Sequence, residues 1–138
     1  SPQATALVCT GRAIPAFHYM VAVAGGADIR CAPYHIFGSQ ALSDAALEAL
    51  EGRRACLLAQ HGVIALGADV GAALALAGEV EDLAMKYCAA LALGKVDILG
   101  AEEMARVVEK FRTYGRQDLA EPGLEFGGDV PPAAVDPR

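Results

Sequence analysis

Two short apolar runs, Cys56 to Gln60 and Val63 to Leu66, are separated only by His61-Gly62. So short a connection allows neighbouring strands that reverse at a corner, and little else. Just beyond, Asp69 opens a stretch in which Leu76, Val80, Leu83, Tyr87 and Leu91 recur at three- and four-residue spacing. Glu79, Asp82 and Lys86 fall on the other side. This pattern predicts a long helix from Asp69 to about Leu93, capped by the Asp69 carboxylate, with one face on a core. A strand corner followed by a long helix commits the chain to a sheet with helices laid on it.

The corner also carries chemistry. Gly62 lets the backbone turn closely beside His61, and neutral imidazole is the commonest metal ligand and the side chain best suited to proton transfer near neutral pH. A hydrogen-bonded corner histidine without a catalytic duty fits the same segment. Both uses are open at this point.

The rest of the chain supplies the covering elements. Ser1-Pro2 through Thr10 reads as a short helix, with Ser1 as its cap and Gly11 just past its end. Pro15 keeps Ile14 extended, and Phe17 to Ala24 is expected as a short helix stopped by Gly25-Gly26. Ile29 to Ala32 reads as a strand ended by Pro33, and Tyr34 to Gln40 as a loop. Ser43-Asp44 is expected to open a helix to about Glu51, with Ala46, Leu47 and Leu50 on one side. A last helix, from about Glu102 to Thr113, places Met104, Val107, Val108 and Phe111 in the same rhythm. The class is therefore α/β, a sheet covered by helices. About three strands are few for a whole sheet, so an incomplete domain is expected. The start at Ser1 reads as a processed or partial chain.

Composition excludes several classes. A net charge of −6 with a pI near 4.9 disfavours nucleic acid and anionic membrane as partners, since both need clustered Lys and Arg. No apolar run is long enough to cross a bilayer, because Glu79, Glu81, Asp82 and Lys86 break the longest one. Cys9, Cys31, Cys56 and Cys88 lie far apart in apolar stretches, which predicts buried free thiols in a reducing cytoplasm. His18 and His35 are the other histidines, and His35 reads as a loop residue without a job. Tyr19 has a phenol that could act as a general acid, or the side chain could simply pack at a helix start. A catalytic zinc typically needs three protein ligands, and no His-x-His or His-Glu-x-x-His supplies them here.

One ordered set of segments goes further. Ser1-Pro2-x-Ala4-Thr5, Ile14-Pro15-Ala16-Phe17-His18-Tyr19-Met20, Ala24-Gly25-Gly26, Cys31-Ala32-Pro33-Tyr34, Phe37-Gly38, Leu42-Ser43, Gln60-His61-Gly62 and Lys110-Phe111-x-Thr113-Tyr114-Gly115 together resemble the class II aldolase/adducin family. Within it they resemble the aldolases of the fuculose-phosphate type. The resemblance implies α/β/α layers and a Zn2+ enzyme that cleaves a ketose 1-phosphate to dihydroxyacetone phosphate and a short aldehyde. It implies His61 as a zinc ligand, Tyr19 as an acid reaching a neighbouring subunit's site, and Tyr114 as a residue closing the site. It also implies a cytoplasmic homotetramer acting on a small phosphorylated sugar. The family's His-x-His pair, catalytic Glu and phosphate-binding stretch would all precede Ser1, so residues 1–115 are expected to be the C-terminal portion of the domain, inactive alone. Residues 116–138 are expected to form a mobile tail. His35-Ile36 stands where relatives commonly carry Ala-Thr, a departure that bears on aldehyde preference. Two further readings keep the fold: a pentulose-phosphate epimerase or methylthioribulose-phosphate dehydratase, and an adducin-like module without catalysis. The His-Tyr-Met run argues for the aldolase over the epimerase, and the retained His61 and Tyr19 argue against the scaffold.

Overall fold

The computed structural model describes residues 1–113. Three strands, β1 (Cys31–Ala32), β2 (Ala55–Leu58) and β3 (Gly62–Ala65), form one sheet in that order. β1 runs parallel to β2 with Cys31 opposite Leu57 and Ala32 opposite Leu58. β2 and β3 are antiparallel, Leu57 facing Val63 and Leu58 facing Gly62. Successive side chains of a strand point to opposite faces. Ala55 and Leu57 accordingly enter the larger core, while Cys56 and Leu58 enter a smaller one on the other side. Helices cover both faces of β2, which is why its sequence is apolar without alternation.

The larger core is built by α1 (Pro2–Val8), a 3-10 helix (Tyr19–Ala24), α3 (Val70–Leu93) and α4 (Ala101–Thr113). Leu76, Val80 and Leu83 of α3 are buried there, with Tyr87 packed at the margin. The Asp69 carboxylate accepts from the Ala72 amide at 2.7 Å, as expected of the cap. Met104 of α4 is fully buried, and Val107, Val108 and Phe111 pack beside it. Glu102 and Glu103 sit in the first turn of α4, Lys110 and Arg112 in the last, each sign against the helix-dipole end that favours it.

Several expectations are corrected. Ser1 occupies the cap position of α1, but its side chain makes no capping bond. The amides of Gln3 and Ala4 donate instead to the two carboxylate oxygens of Glu81, at 2.6 and 2.9 Å. A charged acceptor on the facing helix outcompetes a neutral hydroxyl for those amides. The strand expected over Ile29 to Ala32 is shorter, because Ile29 pairs with Ile14 in an isolated antiparallel bridge. The helix expected from Ser43 starts a turn earlier: α2 spans Gln40–Leu50 and is capped by Ser39, whose Oγ accepts from Leu42. Gly38, at φ 74°, makes the turn that releases Ser39 for this duty. The face of α2 on the sheet is Leu42, Ala45, Ala46, Ala49 and Leu50, which leaves Leu47 65% exposed. The boundary expected at residue 115 and the tail at 116–138 lie outside the described residues.

The four thiols are free, but only Cys56 is buried as expected: Cys31 and Cys88 are partly buried and Cys9 is exposed. Burial raises the Cys56 thiol to about 11, helped by the neighbouring Cys31, itself raised by burial. An uncharged alkylating reagent, which reacts with the thiolate, is therefore expected to modify Cys9 first and to spare Cys56 until the protein unfolds. Because the folded value of Cys56 is raised, the native state holds its proton more tightly than the unfolded chain does. That contribution is complete below the ordinary thiol range and is lost as pH rises towards 11. Mass-spectrometric mapping of labelled peptides, with and without denaturant, checks the order. Labelling of Cys56 as fast as Cys9 in the native protein contradicts it.

Candidate active site

The β2–β3 corner is braced from three sides by main-chain bonds. The His61 amide closes the turn onto Leu58 O at 3.0 Å, Ala59 N donates to Ala32 O at 3.0 Å, and Gln60 N donates to Val8 O at 3.3 Å. Among the described residues Gln60 is the one non-glycine at positive φ, 60°. An L side chain there costs roughly 1–2 kcal/mol, the kind of local strain that collects at functional sites. Gly62 follows at φ 151°. A methyl group in place of its hydrogen would lie 3.7 Å from Thr5 Oγ1 and 4.0 Å from Ser1 Oγ. The start of α1 is thus laid against the residue next to His61.

The His61 ring is half-buried, and its Nε2 lies 2.8 Å from the His35 carbonyl oxygen. A carbonyl only accepts, so Nε2 carries the hydrogen, which in the neutral imidazole leaves the lone pair on Nδ1. Among the described residues nothing hydrogen-bonds to Nδ1. The Tyr34 ring stacks on the imidazole, centroids 5.4 Å apart and planes within 13°. Metal-bound histidines commonly give their second ring hydrogen to a carbonyl in this way. His61 therefore fits one position of a metal site. Among the described residues no group of three His, Cys, Asp or Glu gathers to complete one.

Tyr19 stands elsewhere. It opens the 3-10 helix after His18, whose extended backbone and Nδ1, accepting from Met20 N at 3.3 Å, form the cap. The Tyr19 ring leans on His18 with centroids 4.7 Å apart, and the side chain is 51% exposed. With Met20, Val107, Lys110 and Phe111 it lines a cleft of about 430 Å³ between the 3-10 helix and α4. Among the described residues the His61 ring has its hydrogen bond with His35 and its ring contact with Tyr34, and neither residue lines this cleft. Tyr114 lies outside the described residues. Sequence reasoning passed over the two groups that hold His61, the Tyr34 ring and the His35 carbonyl. The second acts through its main chain, so no side-chain signal could have announced it.

A family model described as the class II aldolase and adducin N-terminal domain matches residues 1–88. The chain is 57% identical over 115 residues to a 5-methylthioribulose-1-phosphate/5-deoxyribulose-1-phosphate aldolase of Rhodospirillum rubrum, covering 83% of this chain and 52% of that protein. It is 50% identical over 112 residues to the L-fuculose phosphate aldolase of Escherichia coli K12, covering 80% and 52%. A solved structure of an L-fuculose 1-phosphate aldolase superposes with a TM-score of 0.77 at 43% identity, over 81% of this chain and 52% of that one. The chain spans about half the length of the relatives it matches. With 88 of its 138 residues under the family model and a matching fold, the chain belongs to the class II aldolase and adducin family.

Proposed function

We propose that this chain is the C-terminal part of a zinc-dependent aldolase that cleaves a ketose 1-phosphate to dihydroxyacetone phosphate and a short aldehyde. The observation that carries the reading is the clamped His61 ring, with a free Nδ1 lone pair, at a strained corner against the start of α1. The relatives named as aldolases of sugar 1-phosphates support the substrate class. Zinc would be held by His61 together with ligands from the part of the relatives that this chain does not span. When bound, the ion supplies a Lewis acid where negative charge gathers on substrate oxygen.

This chain's own residues then have two duties. His61 holds one ligand position without having to reorient, because its ring is already fixed at face and edge. Tyr19 handles the aldehyde-side oxygen: its phenol gives that oxygen a proton when the carbon–carbon bond forms and takes it back when the bond breaks. The carboxylate that exchanges the proton at carbon belongs to the unspanned part. Exposure of Tyr19, apart from His61, supports a site completed between subunits of a homo-oligomer, a tetramer by resemblance. Tyr114 is assigned to site closure on the same resemblance, and a cytoplasmic location follows the same reading. Among the described residues no helix is long and apolar enough to cross a membrane.

The test is release of dihydroxyacetone phosphate by the full-length protein from L-fuculose 1-phosphate and from 5-deoxyribulose 1-phosphate, followed with a coupled reductase. Cleavage of at least one is expected, to be lost with a chelator and restored by zinc, while the 138-residue chain alone stays inactive. Failure of the zinc-loaded full-length protein on both substrates overturns the reading. Turnover by the isolated chain overturns its assignment as an incomplete part.

A further inference from the structure

We propose that Tyr34 is a positioning residue for His61, acting with the His35 carbonyl to hold the imidazole in one plane and one tautomer. The strand register places it there. β1 and β2 are parallel with Ala32 opposite Leu58, so the residues just past their ends run side by side. Two steps beyond Ala32 is Tyr34, and two beyond Leu58 is Gln60, next to His61. Pro33 holds Ala32 extended, and the Ala59 amide on Ala32 O, at 3.0 Å, locks the two exits together. Tyr34 then meets the face of the imidazole while the His35 carbonyl meets its Nε2 edge. Rotation about the ring's last torsion would break both contacts at once. Tyr34 is 53% exposed and belongs to neither core cluster, so packing of the fold does not account for its placement. Its bearing on a metal rests on the proposed function, whereas the tautomer follows from the contacts alone.

The experiment compares wild type, Tyr34→Phe and Tyr34→Ala. Long-range proton–nitrogen spectra of ring-labelled histidine are recorded on the metal-free full-length protein at about pH 8, above the ordinary imidazole range. Wild type and Tyr34→Phe are expected to show a single His61 tautomer with hydrogen on Nε2. Tyr34→Ala is expected to show averaged ring nitrogens at an unchanged melting temperature. Zinc affinity is then expected to fall about 10- to 100-fold in Tyr34→Ala and to be kept in Tyr34→Phe. An unchanged ring spectrum in Tyr34→Ala, a wild-type ring with bare Nε2, or undiminished zinc affinity in Tyr34→Ala overturns the proposal. A wild-type protein that binds no zinc, with the tautomer as expected, overturns the proposed function instead.

Discussion

Replacing His61 with alanine in the full-length protein is expected to lower kcat/KM for ketose 1-phosphate cleavage by about 10³-fold. The figure follows from the several kcal/mol that a metal Lewis acid contributes to charge stabilisation, at about 1.4 kcal/mol per tenfold in rate. On the proposed reading His61 is one of the zinc ligands, and its loss removes most of that. The fold is expected to survive, because the corner is held by the main-chain bonds of Ala59, Gln60 and His61 rather than by the imidazole. The ring is also not part of either core cluster. Zinc content by mass spectrometry, melting temperature and steady-state rates on the same preparation separate the terms. A His61→Ala protein with wild-type zinc content and turnover would remove His61 from the metal site.

The elements of this fold were largely legible because their signals are local. Asp69 sits before a clean three- and four-residue rhythm, and α3 starts where that says. α4 is read equally well from Met104, Val107, Val108 and Phe111. What the sequence obscured depends on partners far along the chain. Ser1 looks like a cap, yet Glu81, on α3, answers the free amides of α1. Ser43-Asp44 looks like a helix start, yet the turn at Gly38 leaves Ser39 as the cap and starts α2 earlier. Leu47 differs from Leu50 only by its angle around α2, which fixes which of them meets the sheet. The candidate site divides the same way. His61 was visible as an imidazole at a corner, whereas its clamp joins positions 26 residues apart and uses a main-chain oxygen. Register between parallel strands creates that proximity, and pairing of distant strands leaves no local periodicity to read.

Replacing Tyr19 with phenylalanine is expected to reduce turnover by about 10²- to 10⁴-fold, the range for loss of a positioned general acid. Stability should hardly change, since the side chain is half-exposed and the ring's contact with His18 survives removal of the hydroxyl. The more telling result comes from mixing. If Tyr19 serves a neighbour's site, a Tyr19→Phe subunit keeps an intact His61 and a His61→Ala subunit keeps an intact Tyr19. Unfolding and reassembling the two inactive variants together would then create some interfaces with both residues in place. Part of the wild-type activity should return, rising with the fraction of mixed oligomers seen by native mass spectrometry. Within one subunit no such rescue is possible, because each chain lacks one of the two groups. Mixed oligomers without activity would therefore place Tyr19 and His61 in the same subunit's site, or remove Tyr19 from the chemistry. The surroundings of Tyr19 fit a shared site: Val107, Lys110 and Phe111 line its cleft, whereas the ring partners of His61 are His35 and Tyr34. On the proposed reading, an acid as exposed as Tyr19 is free to act on a surface brought by another copy.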